Sequence, residues 1–429
     1  MIVEFRVKNF RSFRDEQVLS LVAGRESALP ENCFTAGKLS LLRTAAIYGP
    51  NASGKSNLIR AVDFMRDFVL KSADRQPGSG TEVVPFRLDV SSRTQPSTFE
   101  VVFIMEGVRY QYGFALTKER VDEEWLLAFP RGSARNLVTR AFDHANKEIS
   151  WKFGSHLKGE KNRLRELTRQ NALFLSVAAK FAHEQLTPVY NWFDKHLRTV
   201  PPKGQFAPVT ARALANVDGS EPEASEIKDF VLRFLEDSDL GIQDLEVRPI
   251  EVDEKVLPDD MPDEVKNRVL ARLRKAPPVA TRLAHAAKNG GTPVLFDLEE
   301  ESDGTQRMFE LAVPWLQMVT FGMTVFVDEL EASLHPFLTR NLVEFVQNPE
   351  INKHGAQLVF ATHDTTLLAP DLLRRDQVWF IEKDSASASR LYSMLDYKKR
   401  AARKGEAMQK GYLAGRYGAV PILKAFSMR

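Results

Sequence analysis

The eight residues Gly49-Pro50-Asn51-Ala52-Ser53-Gly54-Lys55-Ser56 satisfy the pattern G-x-x-x-x-G-K-[ST] without departure, and they constrain this chain more than any other feature of it. Such a loop cradles phosphate only where a buried strand delivers it and a helix leaves from it. The anion is held by backbone N–H groups at the helix N-terminus, and glycines let those groups turn inward. The flanks meet that requirement. Thr44 to Tyr48 is a short apolar run stopped by glycine, the pattern of a strand buried on both faces. Asn57 to Ser72 places Leu58, Ile59, Val62, Phe64, Met65, Phe68 and Val69 at helical spacing. The residues from Gly49 through Asn57 are therefore the expected phosphate contacts. Lys55 would neutralise the β- and γ-phosphates and Ser56 would offer its hydroxyl to Mg²⁺, so the expected ligands are ATP and Mg²⁺.

Two further strand ends carry polar residues that such a loop needs. Met323 to Val327 is an apolar strand that ends in Asp328-Glu329. Desolvated carboxylates are costly unless paired or bound to metal, so Asp328 is the expected Mg²⁺ partner and Glu329 the residue that polarises the attacking water. Gln357 to Thr362 is another apolar strand, ending at His363, which reaches the γ-phosphate if the two strands are neighbours in a parallel sheet. Catalytic roles are thus expected for Lys55, Glu329 and His363. A fourth segment, Glu301-Ser302-Asp303-Gly304-Thr305-Gln306, precedes an apolar helix from Met308 to Met318 and offers a second phosphate cradle. One γ-phosphate needs only one cradle from each chain. Ser302, Asp303 and Gly304 are therefore expected to serve a nucleotide on a second subunit.

Composition switches divide the chain into three parts. Residues 1–150 open on a strand with Val3, Phe5 and Val7 on one face, paired with Gln17 to Val22. They continue through the P-loop into strands seen in PFRLDV, STFEVVFIM and VRYQYGFAL, with a turn at Glu106-Gly107. Residues 151–290 read as a mainly helical insertion: helices are expected over 158–196, 223–236 and 259–275, with a proline- and glycine-containing linker at 200–219. Residues 291–429 return to α/β character. The expected fold class is α/β, a P-loop nucleotide-binding lobe with a mixed parallel sheet, an antiparallel β subdomain and a helical insertion.

With 59 Lys plus Arg against 57 Asp plus Glu, the net charge of +2 provides no global field for nucleic acid. The local exception is the stretch from Lys398 to Arg416, where seven basic residues face the single acid Glu406. A solvated helix is the simpler reading of that run. A lone cysteine, Cys33, excludes an intramolecular disulfide. No run of about 18 apolar residues and no signal-like N-terminus is present, so a cytoplasmic location without membrane contact is expected.

The order of these motifs resembles the ABC-type ATPase heads of the SMC, RecF and OLD group. IVEFRVKNFRSF is similar to that group's opening strand and turn. Ser302-Asp303-Gly304-Thr305 resembles the variant signature of the OLD-like branch, Asp328-Glu329 matches Walker B, Glu331 to Pro336 (within ELEASLHP) matches the D-loop region, and His363 matches the switch histidine. Gln170 is a candidate for the Q-loop. The tail from Gly411 to Pro421 looks like the ending of the OLD-like RloA (AbiLi) type of abortive-infection ATPase; read from its residues alone, it is an aromatic, glycine-rich segment suited to a partner. That resemblance implies an ATPase of antiphage defence. It would work as a homodimer or higher oligomer with a separately encoded effector, RloB-like, nuclease or toxin. A RecF-like clamp on DNA and an ATP-bound scaffold that sequesters a toxin are the alternative readings. Only 66 residues follow His363, too few for the Toprim nuclease domain that full-length OLD proteins carry.

Overall fold

The structure, a computed structural model, describes residues 1–200, 207–215, 222–250, 257–258, 261–275, 278–287, 291–397 and 408–421. It divides into two compact units, one of residues 1–201, 318–331 and 339–429 and the other of residues 202–317 and 332–338.

The first unit is built on two large sheets and a hairpin. Its strands are β1 (Ile2–Lys8), β2 (Gln17–Ser20), β3 (Cys33–Ala36), β4 (Leu39–Leu42), β5 (Thr44–Tyr48), β6 (Ser97–Met105), β7 (Val108–Leu116), β8 (Val121–Phe129), β9 (Arg135–Asp143), β10 (Glu148–Phe153), β11 (Leu197–Val200), β15 (Thr324–Val327), β16 (Gln357–Ala361), β17 (Val378–Lys383) and β18 (Ser389–Ser393). One sheet is antiparallel, in the order β10-β9-β8-β7-β6-β1-β2. The other is mixed, in the order β11-β15-β16-β5-β17-β18, parallel except for its β17–β18 edge. Strands β5, β15 and β16 are buried along their whole length, which explains their unbroken apolar sequences. The two chain segments that supply this sheet are far apart in sequence and adjacent in space: Val359 lies opposite Ala45 and Phe326.

The unit's helices are α1 (Lys55–Lys71), α2 (Asn162–Leu167), α3 (Phe174–Lys180) and α4 (Thr187–Lys195). Helix α1 buries Leu58, Ile59, Ala61, Val62, Met65, Phe68 and Val69. Its Phe64 and Phe68 meet Phe99 and Phe114 of the antiparallel sheet at ring separations of 5.0 and 5.5 Å. Each fully buried phenylalanine contributes roughly 1.5–3 kcal/mol, so this aromatic seam fixes the P-loop helix firmly to the sheet. The same sheet is tied to α3 by a buried ion pair. Glu124 accepts the N–H groups of Phe174 and Leu175 at 2.8 and 3.1 Å and the Tyr112 hydroxyl at 3.0 Å, while Arg140 lies 3.1 Å away.

The second unit contains α5 (Ala207–Ala215), α6 (Pro222–Glu236), α7 (Asp263–Lys275) and an antiparallel sheet in the order β12-β13-β14, formed by Ile242–Pro249, Val279–His285 and Val294–Asp297. Helix α8 runs from Asp303 to Phe321 and contains Pro314. A proline leaves the carbonyl four residues earlier without its helical donor. Here that carbonyl, Glu310 O, accepts the Thr210 hydroxyl at 3.2 Å. The remaining helices are α9 (Pro336–Gln347) and α10 (Met408–Leu413). No helix among the described residues is long and apolar enough to cross a membrane.

Several local expectations change. PFRLDV is not a strand; this segment is a loop whose Phe86 N–H is captured by the buried side chain of Asn9 at 3.1 Å. The helix-forming stretch over 158–196 carries three short helices, separated at residues 168–173 and by the turn around Ala182, with Pro188 in the first turn of the third. The middle third also carries β10 to β13, so it is less helical than its composition implies. The linker expected at 200–219 contains α5 over 207–215, and its residues 201–206 and 216–219 lie outside the described residues, as do 259–260 and, in the basic stretch, 398–407. The tail rings are turned inward. Tyr412 stacks on Phe380 at 5.5 Å and Tyr417 is buried against the same ring, so they line the protein's own sheet rather than an open face for a partner.

Candidate functional site

Strand β5 delivers Gly49 at the end of the mixed sheet, and only glycine fits there. A Cβ at Gly49 would lie 2.2 Å from the Ile381 carbonyl oxygen, and one at Gly54 would lie 2.3 Å from Ser389 Oγ. Gly54 has a φ of 120°, from which α1 begins at Lys55. The loop is pinned from outside by the Ser389 hydroxyl, which donates to the Ser53 carbonyl, and by Asn57 Nδ2, which donates to Ser12 Oγ at 2.8 Å. The loop's conformation is therefore set by packing before any ligand arrives.

A cavity of about 550 Å³ opens over this loop and is lined by residues 51–57 together with Ser12, Arg60, Asp328, Glu329, His363 and Lys383. Asp328, Glu329 and His363 reach it because β15, β16 and β5 are parallel neighbours whose C-terminal ends lie together, the position where open α/β sheets bind ligands. Pairing continues past the strands: the Leu330 N–H donates to Ala361 O at 3.2 Å and the Thr362 N–H to Ile47 O at 3.1 Å.

The charges in this cavity are incompletely satisfied. Lys55 is buried and donates to the loop carbonyls of Gly49 at 2.8 Å and Pro50 at 3.3 Å. Desolvation lowers its pKa, and Asp328, Glu331 and Glu329 act in the opposite direction. Asp328 is 6% exposed, and its Oδ1 has no hydrogen-bond partner among the described residues. A buried carboxylate oxygen left in that state is costly unless a cation or donor joins it. Glu329 is exposed with a φ of 52°, a conformation a non-glycine residue adopts only when its surroundings hold it there. Glu331 accepts the His363 N–H at 2.6 Å and thereby fixes the backbone at the end of β16. The His363 ring has its pKa lowered by desolvation and then by Lys55, against the opposing carboxylates of Glu331, Glu329 and Asp328.

Ser302, Asp303 and Gly304 belong to the other unit, where they form the start of α8. Ser302 caps this helix: its Oγ accepts the Thr305 N–H at 3.1 Å and lies 2.9 Å from Thr305 Oγ1. A Cβ at Gly304 would come within 3.0 Å of the Ser333 carbonyl oxygen, so glycine there permits a close approach of the 332–338 segment. Gln170 is elsewhere, with its carbonyl accepting the Val121 N–H at 2.8 Å, and it does not line the P-loop cavity. Sequence reasoning missed Ser12, Arg60 and Lys383. Ser12 lies in the NFRSF turn quoted for its resemblance alone; no spacing rule marks the other two.

The residues present fit a nucleotide with a divalent cation: a glycine cradle, a buried lysine, a helix N-terminus, and an orphaned carboxylate oxygen on the cavity that Ser56 also lines. A sequence profile for the family described as "AAA domain, putative AbiEii toxin, Type IV TA system" matches residues 45–369. No curated protein matches the chain. Among solved structures, the SMC head bound to the C-winged helix domain of ScpA is similar, with 13% identity over 91% of this chain and 97% of that one at a TM-score of 0.46. The SMC head domain from Thermotoga maritima is similar with 14% identity over 91% and 98%, at a TM-score of 0.39.

Proposed function

The chain belongs to that AAA family, and on this premise we propose that it binds and hydrolyses ATP in the cavity over residues 49–56, as a dimer that controls a separate effector in defence against phage. The observation that carries the chemistry is the convergence of Lys55, Asp328, Glu329 and His363 on one cavity from three neighbouring parallel strands. Backbone N–H groups of the loop and the start of α1 hold the phosphates. Lys55 exchanges its two carbonyl acceptors for phosphate oxygens. Ser56 and Asp328 would hold Mg²⁺, which when bound neutralises charge between the β- and γ-phosphates. Glu329, exposed on the cavity at the end of β15, takes a proton from the attacking water. His363, held through its backbone by Glu331, faces the γ-phosphate.

The dimer rests on the capped helix start at Ser302, whose residues offer a phosphate cradle that one chain does not need for itself. Control of an effector draws support from the family description, which refers to a toxin and a type IV TA system, and the role in phage defence rests on the resemblance of the signature segment and the tail to abortive-infection ATPases. Glu329→Gln tests the chemistry. It should bind ATP with little change and lose turnover by about 10²–10⁴-fold, the usual contribution of a general base. Undiminished hydrolysis would remove Glu329 from its role.

A further inference from the structure

A second cavity, of about 650 Å³, lies on the antiparallel sheet and shares no lining residue with the P-loop cavity. Arg93, Lys118, Arg120, His144 and Lys147 line it, against the acids Glu119 and Asp122. Its cations come from three separate segments: the residues before β6, the β7–β8 turn and the β9–β10 turn. The backbone of the β7–β8 turn and the side chains of Arg93 and Arg120 are positioned before any ligand binds. The β7–β8 turn is closed by Thr117 N–H to Arg120 O at 2.9 Å and fastened by Thr81, whose hydroxyl donates to Thr117 O at 2.6 Å and whose N–H donates to Lys118 O at 2.9 Å. The Arg120 guanidinium lies 4.2 Å above the Phe142 ring, and the His144 ring stands edge-on to Phe142 at 4.9 Å.

Beneath these groups lies Asp122, 4% exposed, with the His144 Nε2 3.2 Å from its Oδ2 and no well-aligned hydrogen bond to either oxygen among the described residues. Folding leaves a carboxylate in this position at a cost unless positive charge gathers over it. One nitrogen of the exposed His144 ring faces this carboxylate, and the other is left for a ligand. Neither Lys118 nor Lys147 has an acidic partner among the described residues, and Arg93 Nε donates to the Arg87 carbonyl at 2.9 Å. Arg93, Lys118, Arg120 and Lys147 outnumber the two acids of the lining, Asp122 and Glu119, the latter 3.7 Å from Arg120, and an excess of cations around a concavity favours a compact anion of more than one negative charge. A polymer backbone would instead require cations in a line, and the chain's net charge of +2 gives no long-range attraction for one.

We propose that this cavity is a second ligand site, independent of the P-loop, for a small polyphosphate of the pyrophosphate or nucleoside-polyphosphate class. Isothermal titration of the Lys55→Ala chain with inorganic pyrophosphate tests it, since that variant weakens the first site. The expected result is one pyrophosphate bound per chain, weakened about tenfold or more by adding Lys118→Gln with Lys147→Gln, and about tenfold by adding Arg120→Ala. The lysines are surface residues, so an unchanged thermal midpoint will show that the fold is intact. Lack of binding in the Lys55→Ala chain, or binding indifferent to the three added substitutions, would overturn the proposal. So would a single-stranded 12-nucleotide DNA that binds tighter than pyrophosphate and displaces it, because the site would then belong to a nucleic acid.

Discussion

Two buried carboxylates in the first unit, Glu124 and Asp328, are treated in opposite ways. Glu124 is fully buried and completely answered, with two backbone N–H groups, a tyrosine hydroxyl and the guanidinium of Arg140 around it. Asp328 is nearly as buried, yet one of its oxygens has no partner among the described residues, and the nearby Lys55 is occupied with loop carbonyls. The carboxylate of the first arrangement is answered without a ligand and belongs to the fold, although Arg140 Nε and Nη1 beside it make no well-aligned hydrogen bond among the described residues. The second is complete only when something else is added, which is why burial alone does not identify a site and the state of its partners does.

The largest effect that tests this contrast is on stability. Glu124→Gln leaves Arg140 buried beside a neutral amide and should cost about 3–5 kcal/mol, measured by denaturant unfolding; a loss under about 1 kcal/mol would mean the pair is not structural. Asp328→Asn should shift nucleotide-free stability by no more than about 1 kcal/mol, because its orphaned oxygen has no hydrogen bond to lose, while abolishing Mg²⁺-dependent ATP binding. A large destabilisation there would place Asp328 with Glu124. The smallest effect is a titration. His363 should titrate below the ordinary 6.5 in the nucleotide-free chain, since desolvation and Lys55 both disfavour its charged form. ATP on the Glu329→Gln chain should move the midpoint upward, because phosphate charge favours imidazolium. A nucleotide-free midpoint at or above 6.5, read by NMR of the ring, would contradict the geometry of the cavity.

Much of this organisation is legible in the amino-acid sequence. The P-loop, its strand and its helix follow from residues 44–72 because glycine spacing and apolar periodicity are local properties. That β15 and β16 lie beside β5 is legible only conditionally, through the assumption that strands ending in Asp328 and His363 are neighbours. What escapes is tertiary. PFRLDV has strand composition, but Asn9, more than 70 residues earlier, captures the backbone that would have paired. Strands β12 to β14 are interspersed with charged, helix-favouring sequence, so composition hides them. Arg60 and Lys383 reach the cavity from a helix and a strand end, where charged residues ordinarily just face water.

The central claim is that the cavity over residues 49–56 hydrolyses ATP only when the Ser302 segment of a second chain completes it. The direct measurement is ATP turnover in an equimolar mixture of Lys55→Ala and Ser302→Arg chains. Each variant alone should be inactive, whereas the mixed dimer carries one intact loop facing one intact cradle and should recover a substantial fraction of wild-type turnover. Full activity of Ser302→Arg by itself, or a mixture as inactive as its components, would contradict a site shared between two chains.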